Sequence, residues 1–315
     1  MLSRTANDLF WLARYMERAE NMARLLDVGY RMALMPHEGQ GHRDEWRSTL
    51  ASAGCEKGFF ARHDTITMRA MIDYMLFDPD NASSVRSCLS TARRNMRAVR
   101  TEVTREVWES LNATWLEFSA TKPDSITTNA LPEFLDWIKE RAALFRGVLS
   151  GTMLRNDAYF FSHVGLYVER ADNTARIVDV KYYILLPENE IVGGGVDNYQ
   201  WSAILRSVAA HRSYGWVYRT GYNSWNIGEY LILNAQMPRS LAFCYDRITE
   251  QLGYLERFYG AHQPSNDQAG DTARLLWDGD MNRIFQNGLH EFLRDFIARN
   301  NRLSQQIAVD YHFAA

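Results

Sequence analysis

The chain has 315 residues, is 46% hydrophobic and 23% charged, and carries a formal net charge of -3. This composition is that of a globular protein and excludes a disordered one, and the charge speaks against a general nucleic-acid binder. Arg outnumbers Lys by 31 to four, the lysines being Lys57, Lys122, Lys139 and Lys181. Such a bias suits planar pairing with carboxylate or phosphate, and it also follows from a GC-rich genome. Cys55, Cys88 and Cys244 are odd in number and form no CxxC, which points to a reducing compartment without a disulfide framework or zinc site. Arg4, Asp8, Arg14, Glu17 and Arg18 leave no signal-peptide core at the start, and no apolar run approaches the roughly 20 residues of a membrane span. A cytoplasmic protein, bound to neither membrane nor nucleic acid, is expected.

The first predicted element is a helix over residues 5–35, capped by Ser3 or Thr5 and stopped by Pro36. At 1.5 Å per residue it would be roughly 45 Å long. On a helical wheel Leu12, Tyr15, Met16, Ala19, Met22, Ala23 and Leu26 share an apolar side. Glu17, Asn21 and Arg24 form a polar stripe, flanked by Glu20 and Asp27 on one side and Arg14 on the other. Phe10 and Val28 close its two ends, which predicts partial burial rather than a solvated face laced by Glu20–Arg24 pairing.

His37, Glu38 and His42 follow in a stretch that reads as an exposed loop. Further helices are predicted over 45–60, 65–77 and 83–116. The last carries Arg86, Arg93, Arg97 and Arg100 on one face, continued by Thr104, Trp108 and Leu111. Four clustered guanidinium groups suit a phosphate, a carboxylate or an acidic partner, or internal pairing with Glu17 or Glu20. A helix over 132–154 precedes a second long one, capped by Asn156 or Asp157 and running to about 186 before Pro187. Within it, His163 reads as a packing histidine. Gly193 to Gly195 lacks the Lys-Ser/Thr of a phosphate loop and reads as a flexible connection. Helices over 201–218, 224–236, 239–259, 269–287 and 289–311 complete the chain. No alternating strand is visible, so the fold class is all-α, a helical bundle.

The two long helices carry nearly the same text: YMERAENMARLLDV at 15–28 and YVERADNTARIVDV at 167–180, identical at nine of 14 positions. Glu17, Arg18, Asn21, Arg24 and Asp27 match Glu169, Arg170, Asn173, Arg176 and Asp179. The match extends to Trp46 and Trp201, to Ser84 and Ser240, to Cys88 and Cys244, and to Glu133 and Glu291. The offset drifts from 152 through 155 and 156 to 158. This implies a tandem duplication of two units, 1–155 and 156–315, packed as one body about a pseudo-two-fold axis. In that packing Glu17 pairs with Arg170 or Arg176, and Glu169 with Arg18 or Arg24. The Arg stripe has no second copy: Ala242, Thr249, Gly253 and Glu256 stand at its positions.

Familiar catalytic motifs are absent. There is no HExxH, no Glu-x-x-His pair, no GxSxG and no Ser-His-Asp pattern. Glu17 with Glu20, and Glu169 with Asp172, lack the nearby His that would favour a metal reading. No cofactor or metal site is expected.

YMERAENMAR, YVERADNTAR, the opening MLSRTANDLFWLARYMERAE, MLFDPDNASSVRSCLSTARRNMRAVRTEV, VWESLN and PRSLAFCYDRI resemble the bacterial alpha-E family. It is a helical family named for its Glu-Arg motif, and the resemblance covers nearly the whole chain. Arg94 and Thr101 depart from it where acids are expected, making the Arg stripe more basic, and HRSYGWVYRTGYNSWN is only loosely family-like. The resemblance implies a neighbour, a circularly permuted ATP-grasp protein, often with a transglutaminase-like peptidase and a proteasome-like Ntn hydrolase. The expected role is an accessory or substrate-holding subunit of an ATP-grasp peptide-ligase and peptidase system. Glu17, Arg18, Asn21, Arg24, Asp27 and their copies would line a cleft or form buried ion pairs, with Arg93, Arg97 and Arg100 meeting an anion. Two rivals stand beside it: a stand-alone enzyme using Glu17 or Glu169 as general acid/base, and a structural dimerisation module.

Overall fold

The computed structural model describes residues 1–34, 41–183, 194–219 and 221–313. Among the described residues there is no strand and there are 15 α-helices, so the chain is all-helical. The readings of His37 and Glu38 as a loop, and of Pro36 and Pro187 as stops, fall outside the described residues, as does the His42 side chain.

Two long helices, α1 (Ser3–Ala33) and α8 (Asp157–Tyr183), pack against each other. Their contacts advance in step, from Phe10 against Gly165 to Glu17 against Arg170, so the two run parallel. A Cβ at Gly165 would overlap the Phe10 carbonyl oxygen, so the closeness of the two axes depends on that glycine. Leu9, Leu12, Leu25 and Leu26 of α1 and Val164, Ala171 and Ala175 of α8 are sealed from solvent. α1 begins on Leu2 without a side-chain cap, so the predicted Ser3 or Thr5 cap is replaced by plain backbone entry into the helix.

The remaining helices wrap this pair. α5 (Val85–Ala98) and α7 (Leu131–Thr152) pack on α1, while α12 (Leu241–Tyr259) and α15 (Leu289–Asp310) pack on α8. α2 (Gly41–Ser52) and α9 (Gly195–Ser207) each touch both long helices.

Four predicted helices are broken. Residues 45–60 divide into α2 and α3 (Glu56–Phe60) at Gly54, whose φ is +68°. Residues 201–218 divide into α9 and α10 (His211–Val217) at Ala209, φ +56°. Residues 83–116 divide after Ala98, and α6 (Arg105–Ala120) starts anew with Thr104 accepting from the Val107 amide. α4 (Met68–Ile72) runs on as a π-helical stretch, Asp73–Phe77. Residues 269–287 divide at 278–280 into α13 (Pro264–Trp277), which starts ahead of the predicted bound, and α14 (Met281–Asn287), while α11 (Ser224–Ile232) follows expectation within a few residues. No helix among the described residues is long and apolar enough to cross a membrane.

Candidate functional site: a closed and an open charge cluster between the long helices

The α1 stripe is not a solvated face: Glu17, Glu20, Asn21, Arg24 and Asp27 are all buried. Burying carboxylates is costly unless they are paired, and the pairing here is reciprocal. Arg170 grips Glu17 with Nε 2.8 Å from Oε1, and Arg18 grips Glu169 with Nε 2.5 Å from Oε1. One turn on, Arg24 pairs with Glu20 at 2.5 Å and Arg176 with Asp172 at 2.6 Å. Arg24 also donates to the Ser207 carbonyl, and Arg176 to that of Ser52 at 3.1 Å. Of the partners left open by the sequence, Arg170 takes Glu17 and Arg18 takes Glu169.

The two clusters then diverge. Around Glu17 and Glu20 the space is filled by two further arginines. Arg146, from α7, reaches Glu17 at 3.1 Å and also bonds Glu20. Arg239, just before α12, lies 3.2 Å from Glu17 and 2.6 Å from Glu20. Four guanidinium groups thus enclose two carboxylates. Burial pushes both carboxyls up, but the arginines outweigh it: Glu17 ends below its ordinary value and Glu20 well below. Burial and the neighbouring Arg24 charge draw Arg239 down to about 9.

Around Glu169 the corresponding space is open. Counting with the offsets that align the rest of the chain, Ser83 lies 156 residues before Arg239, and Ser304 lies 158 after Arg146. Both short side chains face this second cluster: Ser304 accepts from Arg14 at 2.6 Å, and Ser83 lines a cavity of about 200 Å³. Arg14, Arg18, Asn21, Glu169, Asn173 and Arg176 form most of its polar wall. Burial raises the Glu169 carboxyl, but Arg18 and Arg14 outweigh this and hold it at about 2. Arg14 is the extra clamp here, its Nη2 2.8 Å from Glu169.

The cavity wall carries unsatisfied polar atoms. Asn173 is 2% exposed, yet neither its Oδ1 nor its Nδ2 has a hydrogen-bond partner. The Oδ1 atoms of Asn21 and Asp172 are equally unpartnered. Native interiors rarely leave such groups bare, so these four atoms are open to water or to another polar molecule in the cavity.

Most other expected site residues lie elsewhere. Asp27 is held by Lys139 at 3.0 Å, and Asp179 by His290 at 2.7 Å. Glu17, Arg24 and Arg170 belong to the closed cluster and do not line the cavity. The Arg stripe is not continuous: α5 ends at Ala98, Arg93 bonds Asn112 at 2.9 Å, and Arg100 stacks 4.8 Å over the Trp108 ring. None of Arg86, Arg93, Arg97 and Arg100 reaches Glu17 or Glu20, whose partners are other arginines. Among the described residues no three His, Cys, Asp or Glu side chains gather to hold a metal. The general acid/base reading requires a raised carboxyl, and both Glu17 and Glu169 are lowered instead.

Arg146, Arg239, Ser83 and Asn301 escape sequence reasoning because they come from distant helices or the turns before them. Only Glu20 and Asp172, which keep their charge in the two matching segments, carried a signal. His163 packs as expected, stacked 3.8 Å on Tyr159 and bonded to Ser150 at 3.1 Å. Burial lowers it to about 4. Two buried thiols border the clusters. Cys88 feels Arg18 and Glu169, Cys244 feels Arg170 and Glu17, and burial pushes both up to about 12.

Residues 1–312 match the family described as a predicted alpha-helical domain with a conserved ER motif. Uncharacterised proteins from Mycobacterium bovis and from two strains of Mycobacterium tuberculosis are 23% identical to it over 94% of this chain and 35% of their own length. The chain therefore spans about a third of the length of these relatives. No solved structure matches it. Glu-Arg pairs stand at the centre of the fold, at 17–18 and 169–170, and the chain belongs to the alpha-E family.

Proposed function

We propose that this alpha-E protein is an accessory, substrate-holding subunit of an ATP-grasp peptide-ligase and peptidase system. It works beside a circularly permuted ATP-grasp protein, and a transglutaminase-like peptidase is a second partner. The observation that carries this reading is the cavity at Glu169, a charged hollow in which the Asn173 amide and the Oδ1 atoms of Asn21 and Asp172 lack protein partners. Such a wall is suited to holding a polar molecule. It offers no carboxyl poised to exchange a proton near neutral pH, which weighs against a self-contained acid/base enzyme. The greater length of the mycobacterial relatives fits a part that acts together with others.

We also read the chain as a tandem duplication, units 1–155 and 156–315, about a pseudo-two-fold axis. The reciprocal Glu17–Arg170 and Glu169–Arg18 pairs support it. So do the left-handed turns at Gly54 and Ala209, 155 residues apart. In this reading one copy of the motif is closed as a structural clamp and the other kept open as a site. The protein is placed in the cytoplasm.

Affinity purification of the tagged protein from its native host, with and without ATP, tests the partnership. Stoichiometric recovery of an ATP-grasp protein is expected. Recovery of the chain alone in both conditions overturns the accessory role.

A further inference from the structure

The chemistry of the open cavity is two-sided. Glu169, Asp172, Asn173 and Arg176 are spaced i, i+3, i+4 and i+7 on α8, and Arg14, Arg18 and Asn21 are spaced i, i+4 and i+7 on α1, so each set presents one helix face. Arg18 spends Nε and Nη2 on Glu169, and Arg176 spends Nε on Asp172 and Nη1 on Ser52. Nη1 of Arg18 and Nη2 of Arg176 are left over as donors. Beside them stand three unused acceptors, the Oδ1 atoms of Asn21, Asn173 and Asp172, and one unused amide donor, Asn173 Nδ2.

A simple anion fits poorly, because it would satisfy the guanidinium donors and leave all three acceptors bare, with Glu169 and Asp172 beside it. A cation alone would face three arginines. A molecule carrying both a carboxylate and an ammonium satisfies both sets. At about 200 Å³ the space is below the ~300–1,000 Å³ of drug-sized pockets. Arg176 and Asn301 also border a second cavity of about 310 Å³ that includes Ala51, Ile297 and Ala298, which gives a side chain somewhere to go.

We propose that the open cavity binds a free α-amino acid in its zwitterionic form, its carboxylate on Arg18 and Arg176 and its ammonium on Asn21, Asn173 and Asp172. This deepens the substrate-holding reading by naming the ligand class, and rests on it. The closed cluster supplies the control. Arg239 fills there the place that Ser83 leaves vacant here, so Ser83→Arg plugs the cavity with a side chain whose counterpart the fold already accommodates.

The test is titration calorimetry of the full chain with glycine, L-alanine and L-glutamate, against N-acetyl-L-alanine, L-alaninamide and inorganic phosphate. At least one free amino acid should bind with a Kd of about 1 mM or tighter. Blocking either its amine or its carboxylate should weaken binding about tenfold or more, since a buried group is then left unpaired. Ser83→Arg should abolish binding with the melting temperature unchanged. Should that variant fail to fold, Asn173→Ala serves instead, with a loss of about tenfold or more. No binding by any of the three amino acids overturns the proposal, as does equal binding of the blocked forms or binding of phosphate alone. Co-purification of the ATP-grasp protein does not read this cavity, so that result can stand while the ligand class falls, and the reverse.

Discussion

Glu17 and Glu169 are the same residue at matched places on parallel helices, yet their surroundings give them different work. Three guanidinium groups meet Glu17, from Arg170, Arg146 and Arg239. Removing its charge leaves those cations facing one another in a buried space. Glu17→Gln is therefore expected to cost about 3–5 kcal/mol of stability, the usual penalty for breaking one side of a buried ion pair. Differential scanning calorimetry would show it as a marked fall in melting temperature, with far-UV helicity kept at low temperature. An unchanged melting temperature would mean that the cluster does not fasten the two helices. That Glu17 and Glu169 would each pair with an arginine of the other segment was legible in the matched text, and the packing selects Arg170 and Arg18 from the two candidates each had. Arg146 and Arg239 were not legible, because a wheel drawn for one helix says nothing about what a helix more than 100 residues away brings to it.

The secondary elements were legible where several Pro, Gly or Asn residues cluster, and not where a break rests on a single glycine, as at Gly54 and Gly279, or on hydrogen bonds among ordinary residues. After α9, Ala209 takes a left-handed conformation so that its amide can reach the Arg206 carbonyl, and Ala210 reaches that of Leu205. After α2, Gly54 and Cys55 make the same two bonds to Ala51 and Leu50. Glycine takes this conformation freely, whereas alanine pays roughly 1 kcal/mol for it. Ala209→Gly should therefore stabilise the protein by about 1 kcal/mol in chemical denaturation. A loss of stability would show that the Ala209 methyl contributes packing greater than the strain it brings. The break at residues 99–104 had one signal in the sequence, Thr104 set to cap a new turn. The helix-forming residues around it hid that signal.

At the scale of the whole molecule, acid is the expected weak point. His163 is buried and held neutral down to about pH 4, while in the unfolded chain it takes a proton near 6.5. Its contribution is complete above pH 6.5 and is lost as pH falls from there to about 4. Glu169, lowered to about 2 from 4.5, adds a second loss that begins only as pH falls below about 4.5. The melting temperature should thus decline in two stages, and His163→Gln should flatten the first and spare the second. A single step near pH 4 in the parent protein would contradict this.

The placing of Cys88 and Cys244 makes the protein its own stopwatch. Each thiol is sealed beside one of the two Glu-Arg pairs and stays protonated at ordinary pH. A labelling reagent reaches either sulfur only while the surrounding helices have parted, so its uptake times the opening of that flank. Fewer arginines span the flank of Cys88, and mass spectrometry of pulse-labelled protein should find it modified before Cys244. A bound occupant that bridges α1 and α8 would slow the Cys88 clock and leave the other running at its own rate.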